Sequence, residues 1–380
     1  MSNDPALDPP RIITSPGAKY ADENRRFQGI PGIAGAPGGR LWATWYSGGV
    51  WESWENFVVL VTSGDDGKTW SKPVMVIDAH DAVRAFDPCL WLDPQNRLWF
   101  FWAQSMSAKD PEHYFMDGRF GVWCIVTENP DGESPTWSEP RRLGDGIMMN
   151  KPTVNHAGEW ILPISIWRLM PDRRELGAPL YHWMEKETGA YAVISRDAGK
   201  TFQYLGKADQ QEERSYDEHI FIEKNDDSLW MLTRVKDGIW ENLSTDGGRT
   251  WDKGHFSDIP HEGSRFFIQR LASGNILLVR HDPPDRTKRN RSHLAAFLSR
   301  DDGKTWEGRL LLDEREQVSY PDGFQAADGT IRVIYDYHRR TDKLILMAVF
   351  REEDILAGDW ISPVARKQVL INQATGLNEG

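Results

Sequence analysis

Six residues far apart along the chain stand ahead of six tight turns: Ile30, Asp87, Glu218, Arg265 and Tyr320 at one phase, and Lys151 with them when the shorter third unit is aligned on its proline. Five of them are polar or ionisable although they sit in otherwise apolar surroundings, as in Asp87-Pro88-Cys89-Leu90-Trp91. The far ends of the same six hairpins carry Tyr46, Ser165, Arg234, His281 and Asp336, and loops leaving that edge add Trp51, Glu52, Trp54, Glu55 and Arg291. Arg26 and Gln28 lie just upstream of the first apolar segment. In an antiparallel hairpin the start of the first strand and the end of the second share an edge, so acid, base, phenol and indole are expected to face one mouth. Such a mixture suits a pocket for a sugar with charged substituents. Each residue also has a plainer reading: polar strand ends keep an open axis solvated, Arg234 can serve as an ion pair between sheets, and Trp51 and Trp54 can pack within a loop.

The elements that must hold these residues are legible from two interleaved repeats. The first has its turns at Gly39-Arg40-Leu41-Trp42, Asn96-Arg97-Leu98-Trp99, Gly158-Glu159-Trp160-Ile161, Asp227-Ser228-Leu229-Trp230, Gly274-Asn275-Ile276-Leu277 and Gly329-Thr330-Ile331-Arg332. The second is the phrase Ser244-Thr245-Asp246-Gly247-Gly248-Arg249-Thr250-Trp251, which returns at Ser63 to Trp70, Ser195 to Phe202 and Ser299 to Trp306, with a worn copy from Thr127 to Trp137. Its Asp hydrogen-bonds its own backbone, its Gly adopts positive φ and its Trp packs beneath, so it reads as a turn between two strands and as scaffold rather than a metal or catalytic motif. Four antiparallel strands per unit, six units and no sustained helical periodicity predict an all-β, six-bladed β-propeller. The expected organisation is an N-terminal extension over 1–24, with Arg11-Ile12-Ile13-Thr14 as a strand able to close the ring, a single propeller over 25–365, and a C-terminal tail over 366–380. The longest interruption, 172–190, is expected to be a loop on one face.

Composition narrows the classes. A net charge of −12 over 380 residues opposes nucleic acid or an anionic membrane surface as a partner. No apolar segment in the first thirty residues and no membrane span are visible, from which a cytoplasmic location is expected. Cys89 and Cys124, both in apolar strand-like surroundings, are expected to be buried free thiols. No His, Cys or Asp cluster has a ligand-like spacing, so neither metal nor cofactor is expected. The oligomeric state is not readable.

The set Glu218, Arg234, Arg291 and Tyr320, together with the repeated phrase, resembles the sialidase (neuraminidase) superfamily, whose Asp boxes the phrase matches. The resemblance covers nearly the whole chain and implies a Tyr320 nucleophile, a Glu218 base that takes its proton, and Arg234 and Arg291 as binders of an acidic substituent through paired hydrogen bonds. A phenol with a pKa near 10 needs such a base at neutral pH, and sialidases depart from the two-carboxylate rule of glycosidases in this way. The chain departs from the family pattern twice. Gly29 stands where the family's first arginine precedes an Ile-Pro, so that arginine is either missing or displaced to Arg26, and no Asp occupies 48–56, so Glu52, Glu55 or Asp87 is expected to act as the general acid. The resemblance implies an exo-acting, retaining glycoside hydrolase for a sialic acid or related acidic sugar. Arg265, Lys151, Arg26, Gln28, Trp51, Trp54, His281 and Asp336 are further candidates for holding the substrate. Two other readings of the same pocket are a lyase acting on a uronic-acid glycan, with Tyr320 or a histidine such as His219 or His281 as base and arginines or Lys151 neutralising a carboxylate, and a non-catalytic propeller that binds glycans or proteins.

Overall fold

The computed structural model describes residues 5–79, 83–106, 120–167, 187–208, 216–285, 287 and 290–377. Six antiparallel sheets follow one another along the chain, each built from a contiguous segment. Their innermost strands are Gln28–Gly35, Val83–Leu92, Thr153–Val154, Ile220–Glu223, Phe267–Arg270 and Val318–Gln325. All six predicted inner turns are in place: for instance Gly35 pairs with Leu41 and Gln325 with Ile331. The second and third strands of the blades are mostly buried, several along their whole length, as in Leu41–Ser47, Phe57–Ser63 and Trp160–Ile166. A sheet stacked on both faces buries both sets of alternating side chains, which is why these segments read as continuous apolar runs. Trp42, Trp45, Trp102 and Trp160 are among the largest side chains sealed between sheets. Cys89 and Cys124 are buried and free.

The repeated phrase forms the turn between third and outer strands wherever it occurs. In the first blade Ser63 Oγ accepts from the Gly67 amide at 3.0 Å, and Asp65 accepts from the Thr69 amide at 2.9 Å and from Thr69 Oγ1 at 2.6 Å. Asp197, Asp246 and Asp301 repeat the pattern. Gly67 takes φ +74°, a conformation that costs other residues.

The ends of the ring differ from expectation. The strand Arg11–Ile13 does not bridge first and last blades; it pairs with the outer strand Met75–Asp78 of the first blade as a fifth strand. Closure is made instead by the chain just after it. Amides of Thr375 and Gly376 donate to the Asp22 carbonyl, Gly376 also donates to Arg25, and the fully buried Arg25 guanidinium reaches Asp22, Gln28 and Asn372. Nor does the sheet stop at 365. Arg366–Gln373 is the outer strand of the sixth blade, where a short helix, Glu352–Ala357, replaces the repeated phrase and two register shifts interrupt its pairing. Those irregularities hid the strand's pattern. Residues 172–186 of the expected loop lie outside the described residues; 189 and 190 already belong to the strand Gly189–Ser195.

Candidate active site

Register slips in the inner strands place the predicted site residues. Shifts fall between Gly29 and Gly32, Phe86 and Cys89, and Ser319 and Asp322. At each slip one residue precedes a proline and adopts positive φ: Ile30 at 55°, Asp87 at 46° and Tyr320 at 53°. Proline donates no ladder hydrogen bond and so suits a bulge, and the bulge re-aims the residue before it. Such backbone is doubly uncommon, because a residue before proline prefers extended φ and a branched or bulky one avoids φ above zero. The strain, on the order of 1–3 kcal/mol at each position, is tolerated in a closely packed surround.

Glu218, Arg234 and Tyr320, separated widely in the chain, meet. Tyr320 Oη donates to Glu218 Oε1 at 2.8 Å, and Arg234 Nη1 donates to that same carboxylate oxygen at 2.6 Å and to the phenol oxygen at 2.8 Å. All three are buried. Burial pushes the Tyr320 phenol above its ordinary pKa; Arg234, Arg291 and Arg339 pull it back while Glu218 adds to the rise. The phenol therefore stays protonated at neutral pH unless Glu218 accepts its proton. Arg291 lies 5.4 Å from the centre of the Tyr320 ring and pairs with no carboxylate among the described residues; its one hydrogen bond is a long one, 3.4 Å, to the Gly263 carbonyl.

Of the three candidate acids, one is buried. Asp87 is 4 % exposed, and no hydrogen bond holds its carboxyl among the described residues. Burial raises its pKa to about 8, with Arg84 and Arg265 opposing and Glu52 and Glu218 adding to the rise. Glu52 lies in the first-blade loop, 3.4 Å from Arg339. Glu55 is on the outer rim, 3.8 Å from Arg26, with both side chains more than a third exposed.

Other predicted residues take supporting places. Lys151 and Arg265 reach across the axis to Asp322, which also accepts from the Ile33 amide, and Arg265 holds Asn150. Together they form a crossbar beneath the mouth, so their charges are spent on the fold. Gln28 is fully buried, its amide oxygen bound to Arg25 and its nitrogen to the Lys343 carbonyl, and belongs to ring closure. His281 Nε2 donates to the Val318 carbonyl at 2.8 Å and its ring stacks on His261 at 5.6 Å; burial lowers its pKa to about 3. His219, with its ring nitrogens against the Asp217 and Tyr191 carbonyls, is lowered to about 4 by burial. Asp336 accepts from the Ile30 amide, Ser319 Oγ and Arg339 Nε, and so braces the bulges of two blades. Trp51, 36 % exposed, lies under the Arg340 guanidinium at 4.6 Å, while Trp54 is half-buried in the same loop.

Two arginines escaped the reading of strand ends. Arg84 enters the second blade three residues before Asp87 and lies 4.1 Å over Phe86. Arg339 follows the sixth-blade hairpin and lies 4.3 Å over the Tyr320 ring. The spacing Asp336-x-x-Arg339, a carboxylate able to hold a guanidinium one turn later, was the available signal. Among the described residues His156, Glu223 and Asp227 also come within ligating reach of one another, on turns of two neighbouring blades at the opposite face; no spacing along the chain announces that group.

A six-bladed ring with a buried tyrosine, glutamate and arginine at its mouth defines a sialidase-like propeller. The family description "BNR repeat-like domain" matches residues 39–333, and the chain belongs to that family. No curated protein matches the chain. Among solved structures, the intramolecular trans-sialidase from Ruminococcus gnavus, in complex with oseltamivir carboxylate, is similar over 91 % of this chain and 98 % of its own, at 15 % identity and TM-score 0.65. The Hadza microbial sialidase Hz136 is similar over 88 % of this chain and 68 % of its own, at 18 % identity and TM-score 0.64. A protein of unknown function from Dyadobacter fermentans is similar over 85 % and 93 %, at 17 % identity and TM-score 0.62. Identities this low show a shared fold.

Proposed function

We propose that the protein is an exo-acting, retaining glycoside hydrolase that removes a terminal sialic acid or related acidic sugar. The observation that carries the reading is the 2.8 Å bond from a buried phenol to a buried carboxylate, between residues of the sixth and fourth blades. Tyr320 Oη attacks the anomeric carbon while Glu218 takes the phenolic proton. The bond to the leaving oxygen breaks as Asp87 delivers its proton, which a pKa of about 8 keeps in place at neutral pH. Water then attacks the anomeric carbon, losing a proton to the Asp87 carboxylate, and Tyr320 recovers its own from Glu218. Two displacements at one carbon retain configuration. Arg291, paired with no carboxylate among the described residues, and Arg234 hold the acidic substituent.

The same geometry disfavours proton abstraction by histidine. Nε2 of His281 is committed to a backbone carbonyl, both ring nitrogens of His219 lie against carbonyls, and burial weakens both residues as bases. A panel of acidic glycans, incubated in water enriched in heavy oxygen and read by mass spectrometry, tests the reading. A released sugar labelled at the anomeric carbon is expected. An unsaturated product sinks hydrolysis in favour of elimination, and unaltered glycans that still bind sink catalysis altogether.

A further inference from the structure

Gly29 and Arg339 compete for one volume. A Cβ built on Gly29 falls 2.7 Å from Cδ, 2.8 Å from Cγ and 2.8 Å from Nε of Arg339, closer than real side chains approach. Arg339 enters that space from the far side of the seam where the ring closes. Its carbonyl accepts from the Gln28 amide at 3.1 Å, so its backbone is tied to the first blade although its chain belongs to the sixth. Its guanidinium is then aimed rather than merely buried. Nε is held by Asp336 at 2.9 Å and Nη2 by Ser319 Oγ at 3.0 Å, while Nη1 has only a long contact, 3.4 Å, with Glu52 from a partly exposed loop. The plane lies over the Tyr320 ring with Arg291 on that ring as well. Among the described residues Arg234 has Glu218 and Arg339 has Asp336 at close range, while Arg291 pairs with no carboxylate. Two guanidinium groups thus lie on the Tyr320 ring, and the Nη1 edge of Arg339 has no nearer partner than Glu52 at 3.4 Å.

We infer that Arg339 anchors the substrate, receiving an anionic substituent on its Nη1 edge beside Tyr320, and that Gly29 is the clearance which lets a sixth-blade arginine reach this first-blade position. The inference rests on the acidic-sugar reading above and assigns that recognition to a residue outside the strand ends. A guanidinium pre-oriented by a carboxylate and a hydroxyl loses little freedom when it binds, and its fork fits a carboxylate better than an ammonium does. Lysine at 339 keeps the charge without the fork.

The test is binding of oseltamivir carboxylate and of its ethyl ester, which keeps the amine but lacks the carboxylate, by calorimetry, to the wild type and to R339K, R339Q, R339G, G29A and the exchange variant G29R/R339G, with thermal unfolding of each as the control for folding. The wild type is expected to prefer the acid. R339Q is expected to lose about 30-fold on the acid, the usual weight of a hydrogen bond to a charged group, and less than about 3-fold on the ester. R339K is expected between the two. G29A, which leaves the arginine in the sequence but displaces its side chain, is expected to reproduce R339Q, and G29R/R339G to recover at least about 10-fold over R339G. A wild-type preference for the acid that survives intact in folded R339Q and G29A overturns the assignment alone and leaves Arg339 a brace for Tyr320. A wild type that binds neither compound, or both equally, overturns the assignment together with the acidic-sugar reading. Should the exchange variant not fold, R339K and G29A still decide.

Discussion

Aspartate does opposite work at the two faces of this ring. At the outer turns Asp65, Asp197 and Asp301 stand in solvent, and donors from a threonine hydroxyl, backbone amides and a serine hold their pKa down to about 2. Asp246 is lowered in the same way. At the axis Asp87 has no donor among the described residues, is sealed from water, and is raised to about 8. The side chain is identical, and the environment sets the chemistry: donors supplied by a local turn make a permanent anion that fastens a loop, whereas burial without donors makes an acid with a proton to give. The turn aspartates obtain their partners within five residues of sequence. Asp87 obtains its surroundings from several blades.

The contrast is broken most severely at the axis. Tyr320→Phe is expected to lower turnover at least about 1,000-fold with little change in thermal unfolding, since it removes the nucleophile and the two hydrogen bonds of its phenol but leaves the Glu218–Arg234 pair in place; initial rates on the substrate identified by the glycan panel decide this. Asp87→Asn is expected to cost on the order of 100- to 10,000-fold on a natural aglycone and far less on a nitrophenyl leaving group that needs no proton. Its pH signature has a definite sign. The acid must be protonated, so wild-type activity falls as pH rises through about 8, and the variant lacks that limb. Stability runs the other way. An acid with pKa near 3.9 unfolded and about 8 folded costs the native state progressively as pH rises between those values. Asp87→Asn is therefore expected to melt higher than wild type at pH 8 and equally at pH 4, by differential scanning calorimetry.

The turns are expected to show the mirror image. Asp246→Ala should lower the melting temperature and leave kcat unchanged. Because its folded pKa is depressed, the stability it contributes is complete above about pH 4 and is lost as pH falls toward its folded pKa, so the gap between variant and wild type should close in acid. The smallest effect belongs to Glu55→Gln. A carboxylate on the rim facing Arg26 at 3.8 Å is an exposed pair of little weight, and rates are expected to stay within about 3-fold of wild type. A large loss there would move the general acid from Asp87 to Glu55.

The turns were readable because their partners are local. Ser63, Asp65, Gly67 and Thr69 satisfy one another within one turn, so residue types at fixed offsets are sufficient. The ring and its inner turns followed from repetition of that signal. The phase of the inner strands brought Glu218, Arg234 and Tyr320 to one mouth, and Asp87 and Tyr320 share the proline-linked bulge that makes this phase meaningful. What stayed hidden depends on neighbours across the ring. Gln28, Lys151 and Arg265 were candidates by position, but whether a polar side chain faces a ligand or a crossbar is decided by residues of other blades far along the chain, such as Asp322 and Lys343. Arg339 was missed because its importance lies in the absence of a side chain at Gly29, on another blade. The last strand, Arg366–Gln373, was missed because a helix and two slips break its rhythm.

Each blade is made from a single stretch of polypeptide, and the stretch that carries Tyr320, Asp336 and Arg339 comes after the one that carries Glu218 and Arg234. Domains generally mature from the N-terminus as they emerge, so a nascent chain holds Glu218 and Arg234 while Tyr320 is still unmade. A chain cut between those segments lacks the phenol, and with it the hydrogen bonds that tie the fourth blade to the sixth at the mouth, whatever part of the ring it manages to form.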